Sequence, residues 1–261
     1  MDDANLADAD VRELLRLRMQ QTGRRVAMAA FARSDIAASV DNNGTVSLLN
    51  LPAGKLLVTN YHVWDHFRQE HTNDPNYRIA LTGDGFCRPI DISDAVVVSE
   101  SEQFDLCVLS YPSGRLESVG KEYCTPRWPA KRAASGENIA IAGYPGMRRS
   151  AEITLHPTTG EIVSVLRHEI VLLYMAVEAI SESQIRLAFR TPTPETHNLS
   201  DRPLDEYSWG GMSGSLVYRY DTDESRFVPC GILSAAGEGL NTVFYATHLD
   251  LISIDGVIGQ A

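Results

Sequence analysis

Three short segments of this 261-residue chain contain residue types that could carry out chemistry. An apolar run ends in His62, and a histidine at the end of a strand has the rigid support that a general base needs. Asp105 lies between Phe104 and a second apolar run, where a carboxylate is unfavourable unless a donor such as an imidazole N–H pairs with it. Ser213 lies among glycines, which allow a tight loop whose backbone N–H groups converge beside its hydroxyl.

Together, the three segments predict a Ser-His-Asp catalytic triad. Taken separately, each has a plainer explanation: His62 as a structural histidine, Asp105 as a turn residue at a strand end, and the serine segment as a glycine-rich hairpin. Their order along the chain, histidine then aspartate then serine, is one of three orders in which unrelated proteins have assembled this triad. The combination therefore favours nucleophilic attack on an acyl carbon, with an oxyanion hole at the serine.

The motifs resemble those of the trypsin/chymotrypsin-like serine peptidases, and especially the bacterial branch of that family. Residues 59–63 (TNYHV) are similar to T-N-x-H-V, residues 105–109 (DLCVL) to D-L-A-V-L, and residues 211–214 (GMSG) to G-x-S-G. Residues 139–145 (IAIAGYP) and 231–234 (GILS) are similar to the strand that opens the second barrel and to the strand after the nucleophile. The resemblance covers roughly residues 24–255.

The resemblance implies a serine endopeptidase that uses neither a cofactor nor a metal. It implies that Ser213 attacks the scissile carbonyl, that His62 transfers the proton and that Asp105 orients His62. The N–H groups of Gly211 and Ser213 would bind the oxyanion. An extended protein or peptide is the expected substrate. The residues implied to bind it are Tyr207, at the base of the specificity pocket, and the strand residues Ser234, Ala235 and Ala236.

Departures from the family pattern bear on activation and specificity. Animal digestive and clotting members pair a newly cut N-terminus with an aspartate just before the serine, and this chain has Met212 there. Activation through that salt bridge is therefore not expected. Tyr207 would hinder a long basic side chain, although Asp205 or Glu206 takes its place if the alignment shifts. Leu233 replaces the histidine of glutamate-specific members, so an apolar or small residue is the expected preference.

The elements that must position these residues are mainly short strands. Apolar segments of strand length are separated by turn sequences rich in Gly, Pro and Asn, without long helices between them. With the resemblance, this pattern predicts an all-β, chymotrypsin-like fold of two six-stranded antiparallel β-barrels with a short N-terminal helix. The expected domains are a helical extension at 1–23, a first barrel at 24–115, a linker at 116–133 and a second barrel at 134–261.

Composition limits the partners and the compartment. The 34 Asp and Glu residues exceed the 23 Lys and Arg residues, and the net charge of −11 opposes binding to nucleic-acid phosphates. No apolar run is long enough to span a membrane, and the acidic N-terminus is unlike a secretory signal. The cysteines are too few for a disulfide scaffold. We therefore expect a cytoplasmic protein with no nucleic-acid or membrane partner. The cysteines are Cys87, Cys107, Cys124 and Cys230.

Other enzyme classes explain the same residues less well. A zinc site at His62, His66 and His71 lacks the glutamate of H-E-x-x-H, and His66 and His71 are better explained by a solvated loop. An α/β-hydrolase needs glycine where this chain has Ser215, and it needs a longer segment before a histidine such as His248. The main alternative is a catalytically silent peptidase-fold module that captures extended peptide segments.

The helix predicted over residues 8–22 has an apolar stripe that must be buried somewhere. The stripe consists of Val11, Leu14, Leu15 and Met19. Packing on the protein's own barrel is the favoured explanation, and docking of a regulatory protein partner is the alternative.

Overall fold

The computed structural model describes residues 24–33, 42–82, 89–111, 116, 120–146, 149–155, 162–168, 170–188, 196–197, 209–236 and 243–259. The predicted N-terminal helix, Cys87 and the predicted pocket residue Tyr207 lie outside these ranges. In chain order, the strands and helix are β1 (Val26–Arg33), β2 (Asn42–Leu51), β3 (Gly54–Thr59), α1 (Tyr61–Asn73), β4 (Tyr77–Thr82), β5 (Ile90–Asp91), β6 (Val96–Ser101), β7 (Leu106–Ser110), β8 (Asn138–Gly143), β9 (Arg149–Leu155), β10 (Ile162–His168), β11 (Val171–Ile180), β12 (Gln184–Ala188), β13 (Thr196–His197), β14 (Leu216–Asp221), β15 (Arg226–Ala236) and β16 (Phe244–His248).

The first sheet is a half-barrel of seven antiparallel strands in the order β5-β4-β1-β2-β3-β7-β6. Helix α1 follows β3 directly and packs against β4 and β7. Its buried residues are Val63, Trp64 and Phe67, which share one face because they are one and four positions apart. The predicted solvated loop for His66 and His71 is therefore wrong, since both residues lie on this helix.

The second sheet closes into a barrel. Its strands follow the order β12-β16-β15-β14-β8-β11, and β12 also pairs with β11, which completes a ring of six. Strand β13 adds to β11 outside the ring, and β9 and β10 form a separate two-stranded sheet. Each closed pairing satisfies backbone N–H and C=O groups that an open edge would leave to solvent.

A shared apolar core joins the two sheets. Each sheet has an apolar cluster of its own, and a third cluster of buried side chains includes residues of both sheets. Relative movement of the sheets would expose this apolar surface, so the cluster holds the two sheets together. Members from the first sheet include Leu56, Val58 and Val108, and members from the second include Ala140, Leu216 and Ile232.

The predicted fold class is confirmed: the described chain is mostly β, with a closed barrel and a half-barrel sheet of the chymotrypsin-like type. The first sheet lies between residues 26 and 110 and the second between residues 138 and 248, while the exact domain boundaries stay a prediction. In the described ranges, no helix is long and apolar enough to cross a membrane.

Candidate active site

His62 and Asp105 form a tightly bonded pair at the start of α1. The Nδ1 atom of His62 lies 2.9 Å from Oδ1 and 2.8 Å from Oδ2 of Asp105. The backbone N–H of His62 also donates to Asp105 Oδ1, at 3.0 Å. A carboxylate only accepts hydrogen bonds, so Nδ1 carries a proton, and in the neutral imidazole Nε2 keeps its lone pair. The pair therefore holds the imidazole in the tautomer that a general base requires.

The backbone around Asp105 is held by two buried polar side chains. Asp105 has a φ of 50°, which is unusual for a residue with a side chain. The Asn60 amide donates to the Asp105 carbonyl at 2.9 Å, and the Thr247 hydroxyl donates to the Phe104 carbonyl at 2.8 Å. Asn60 precedes α1 but makes no side-chain cap bond to it. Its amide instead stabilises the left-handed turn that presents the carboxylate to His62.

The Asp105 carboxylate is more accessible than its apolar sequence neighbours suggest. The side chain of Asp105 is 29% exposed and that of His62 is 53% exposed. Pairing with the imidazole N–H and the backbone N–H satisfies the carboxylate, while solvent covers part of it. About half of the imidazole side chain is therefore open to solvent.

Residues 209–215, named here the serine loop, contain two backbone donors without an internal partner. The N–H of Met212 donates to the Trp209 carbonyl at 3.2 Å, and the N–H of Ser215 donates to the Met212 carbonyl at 3.0 Å. Within the described part of the chain, the N–H groups of Gly211 and Ser213 donate to no backbone carbonyl. Two unused N–H groups on either side of Met212 are what an oxyanion hole requires.

The serine loop is docked on β2 of the first sheet. The Thr45 N–H donates to the Ser213 carbonyl at 2.8 Å, and the Ser47 hydroxyl donates to the Gly214 carbonyl at 2.6 Å. The Thr59 hydroxyl donates to the Thr45 carbonyl at 2.9 Å, which ties this contact to the strand end three residues before His62. The docking therefore brings Ser213 beside the element that carries the histidine.

The serine loop is held through its backbone carbonyls, and the hydroxyl of Ser213 makes no hydrogen bond to His62 in the part of the chain that the structure describes. Hydrogen bonds of this kind often shorten only when substrate is bound. The catalytic roles of His62, Asp105 and Ser213, and of Gly211 in the oxyanion hole, stay predictions.

The predicted substrate-binding strand is the end of β15. Pairing between β14 and β15 ends at Leu216 and Ile232, and the Leu233 N–H then donates to the Ser215 carbonyl at 2.8 Å. Residues 234–236 continue past the serine loop, where no described strand pairs with them on that side. The Ser234 hydroxyl donates to the Tyr245 carbonyl on the other side, at 3.0 Å. This free edge suits an extended peptide, and the roles of Ser234, Ala235 and Ala236 stay predictions.

His66, His71 and His248 contact other protein groups. His66 lies edge-on to Phe31, and His71 Nδ1 is 2.8 Å from the Tyr77 carbonyl. Among the described residues, no group of three His, Cys, Asp or Glu side chains could hold a metal ion. Burial lowers the pKa of His248, whose Nε2 lies 3.1 Å from the Ser181 carbonyl.

Sequence reasoning missed three residues that hold the site together. Thr45, Asn60 and Thr247 are fully buried polar residues, and each donates a side-chain hydrogen bond to a loop that carries a predicted catalytic residue. Only Asn60 had a sequence signal, because it lies inside the motif that ends in His62. Thr45 and Thr247 lie in ordinary strand sequences, where a threonine has no distinguishing neighbour.

A search by sequence finds no matching family and no matching curated protein. By structure, the chain is similar to a crystal structure of Deg5, with 13% identity and a TM-score of 0.52 over 97% of this chain and 93% of that chain. It is also similar to the thermostable serine protease AL20 from an extremophilic microorganism, with 12% identity and a TM-score of 0.46 over 88% and 93%. The serine protease domain of the Sesbania mosaic virus polyprotein has 13% identity and a TM-score of 0.45 over 87% and 89%. At such identities the likeness shows the fold alone, and the Deg5 comparison carries it.

Proposed function

We propose that the protein is a serine endopeptidase with a catalytic triad of His62, Asp105 and Ser213. The observation that carries this proposal is the geometry of the first two residues. The Asp105 carboxylate bonds both Nδ1 and the backbone N–H of His62, so in the neutral imidazole the proton lies on Nδ1 and the lone pair on Nε2. A purely structural histidine–aspartate pair would not explain why the Gly211 and Ser213 N–H groups of the docked serine loop have no acceptor among the described backbone carbonyls.

In the proposed reaction, the Ser213 hydroxyl attacks the carbonyl carbon of the scissile peptide bond while His62 Nε2 takes the hydroxyl proton. Asp105 keeps the other imidazole proton on Nδ1 and stabilises the imidazolium. His62 then gives its proton to the leaving amine, and the acyl group stays on Ser213 as an ester. Water, deprotonated by His62, hydrolyses that ester and restores the serine.

The substrate in this proposal is an extended segment of protein or peptide. It would pair with residues 234–236 as an added strand, which places a carbonyl beside the serine loop. The N–H groups of Gly211 and Ser213 would then stabilise the negative charge that develops on the carbonyl oxygen. For the substrate residue that precedes the cleaved bond, the proposal keeps the preference expected from the sequence, an apolar or small side chain.

Labelling with a fluorophosphonate probe tests the proposal, because an activated serine displaces the fluoride of the probe and forms a stable phosphonate ester. We expect the wild-type protein to be labelled and Ser213→Ala not to be labelled. His62→Ala should react more slowly than the wild type by a factor of at least about 10⁴. Ser135→Ala, at an exposed serine away from the site, is the matched control and should react like the wild type. A folded wild-type protein that binds an extended peptide but takes up no probe would favour the silent binding module instead.

A further inference from the structure

Thr45 uses both its backbone and its side chain to hold the candidate active site together. Its N–H donates to the Ser213 carbonyl at 2.8 Å, and its hydroxyl donates to the Gly211 carbonyl at 2.9 Å. Its carbonyl accepts from the Thr59 hydroxyl at 2.9 Å, and its hydroxyl accepts from the Tyr144 N–H at 3.3 Å. Thr45 is completely buried, so water cannot replace these partners.

The hydrogen bonds to the serine loop determine where the Gly211 N–H points. In a planar trans peptide, the C=O and N–H groups point in opposite directions. The Gly146 N–H donates to the Gly210 carbonyl at 2.6 Å, so the Gly211 N–H of that same peptide points away from Gly146. The Thr45 hydroxyl holds the carbonyl of the following peptide. With a φ of 93°, Gly211 joins two peptides that cannot rotate unless one of these bonds breaks.

From this geometry we propose that Thr45 is a positioning residue for the oxyanion hole, an inference that rests on the proposed peptidase function. Its hydroxyl, from the first sheet, fixes the Gly211 carbonyl while the Gly146 N–H fixes the Gly210 carbonyl, and the two bonds together keep the Gly211 N–H directed at the carbonyl that Ser213 attacks. Met212 is the buried residue between the two donors, and its apolar side chain cannot donate a hydrogen bond to the Gly211 carbonyl. Docking of the two sheets therefore also sets the geometry of the oxyanion donors.

Two variants at Thr45 separate the hydroxyl from the rest of the side chain. Thr45→Val keeps the shape and removes the hydroxyl, while Thr45→Ser keeps the hydroxyl and removes the methyl group. The measurement is the inactivation rate at saturating fluorophosphonate and the probe concentration that gives half of that rate. We expect Thr45→Val to lower the saturating rate by about 10- to 100-fold and to leave the half-saturating concentration within about threefold. Thr45→Ser should stay within about threefold of the wild type.

A purely structural role would give a different result. Ile79→Val removes one methylene from the core of the first sheet and is the stability control. Loss of folded protein lowers the amount of label but not the rate at which the folded fraction reacts, so this control should react at the wild-type rate. If Thr45→Val does not fold, Thr45→Ala is compared with Thr45→Ser, because these two differ only in the hydroxyl.

Each outcome decides the inference. A saturating rate for Thr45→Val equal to that of the wild type overturns it and leaves the proposed function intact. A Thr45→Ser rate as slow as that of Thr45→Val also overturns it, because the hydroxyl would then not be the cause. Absence of labelling in the folded wild-type protein overturns the proposed function, and this inference with it.

Discussion

Replacing Gly214 by alanine tests how closely the serine loop is docked on the first sheet. An alanine Cβ at this position would lie 1.9 Å from the Thr45 carbonyl oxygen and 2.9 Å from the Thr59 hydroxyl oxygen. Carbon and oxygen atoms that are not bonded to each other stay about 3.3 Å apart at closest, so the two backbones would have to separate by about 1.4 Å. Backbone atoms of a central strand cannot turn aside as the end of a side chain can.

The energetic cost of that separation follows from the bonds that it breaks. A φ of 93° at Gly214 adds strain of about 1–2 kcal/mol for any residue with a Cβ. The bonds from the Thr59 hydroxyl to the Thr45 carbonyl and from the Thr45 N–H to the Ser213 carbonyl would lengthen or break. Each buried bond lost in this way costs about 1 kcal/mol or more. We therefore expect Gly214→Ala to lower the free energy of unfolding by about 4 kcal/mol and to abolish probe labelling.

Gly136 supplies the matched control, because its φ of 82° is similar and an added Cβ would meet no atom of the described residues beyond its chain neighbours within 4 Å. Gly136→Ala should therefore show the strain alone, about 1–2 kcal/mol. Urea denaturation of both variants gives the two free energies of unfolding, and their difference isolates the steric contact. Values within about 1 kcal/mol of each other, or normal labelling of Gly214→Ala, would refute the close docking of the serine loop.

Two further predictions concern ionisable groups away from the serine loop. A hydrogen bond from Arg219 lowers the pKa of Glu137 below its ordinary value of 4.5. Because the pKa of Glu137 is lower in the folded protein, Glu137→Gln should reduce the free energy of unfolding by a constant amount above about pH 4.5. That reduction should disappear as the pH falls through the pKa of the folded state. Urea titrations at several pH values measure it. A pH-independent loss would contradict that linkage. Burial raises the pKa of Cys107 and of Cys230 to about 12, so both thiols should resist iodoacetamide at about pH 8 until the protein unfolds, as mass spectrometry can check. Modification of the native protein at the rate of a free thiol would show this to be wrong.

Much of the candidate site could be predicted from the sequence because its chemistry is local. The residue types and chain order of His62, Asp105 and Ser213 indicate the reaction, and the glycines beside the serine indicate a loop with convergent N–H groups. Strand-length apolar segments with turn residues between them predicted an all-β barrel or sandwich, since strand period and turn chemistry depend on near neighbours, and the family resemblance of the motifs implied the chymotrypsin-like form. Helix α1 was missed because its polar and histidine-rich sequence outweighed a narrow apolar face.

The tertiary structure alone decided what the polar residues of β2 do. Thr45 and Ser47 alternate with Val46 and Leu48, a pattern typical of a strand with one face in solvent. Both polar residues are instead fully buried, because that face meets the serine loop, and the Thr45 hydroxyl bonds a carbonyl 166 residues away. Alternation determines which side chains share a face of a strand. What that face contacts depends on how the two sheets dock, and no local pattern contains that information.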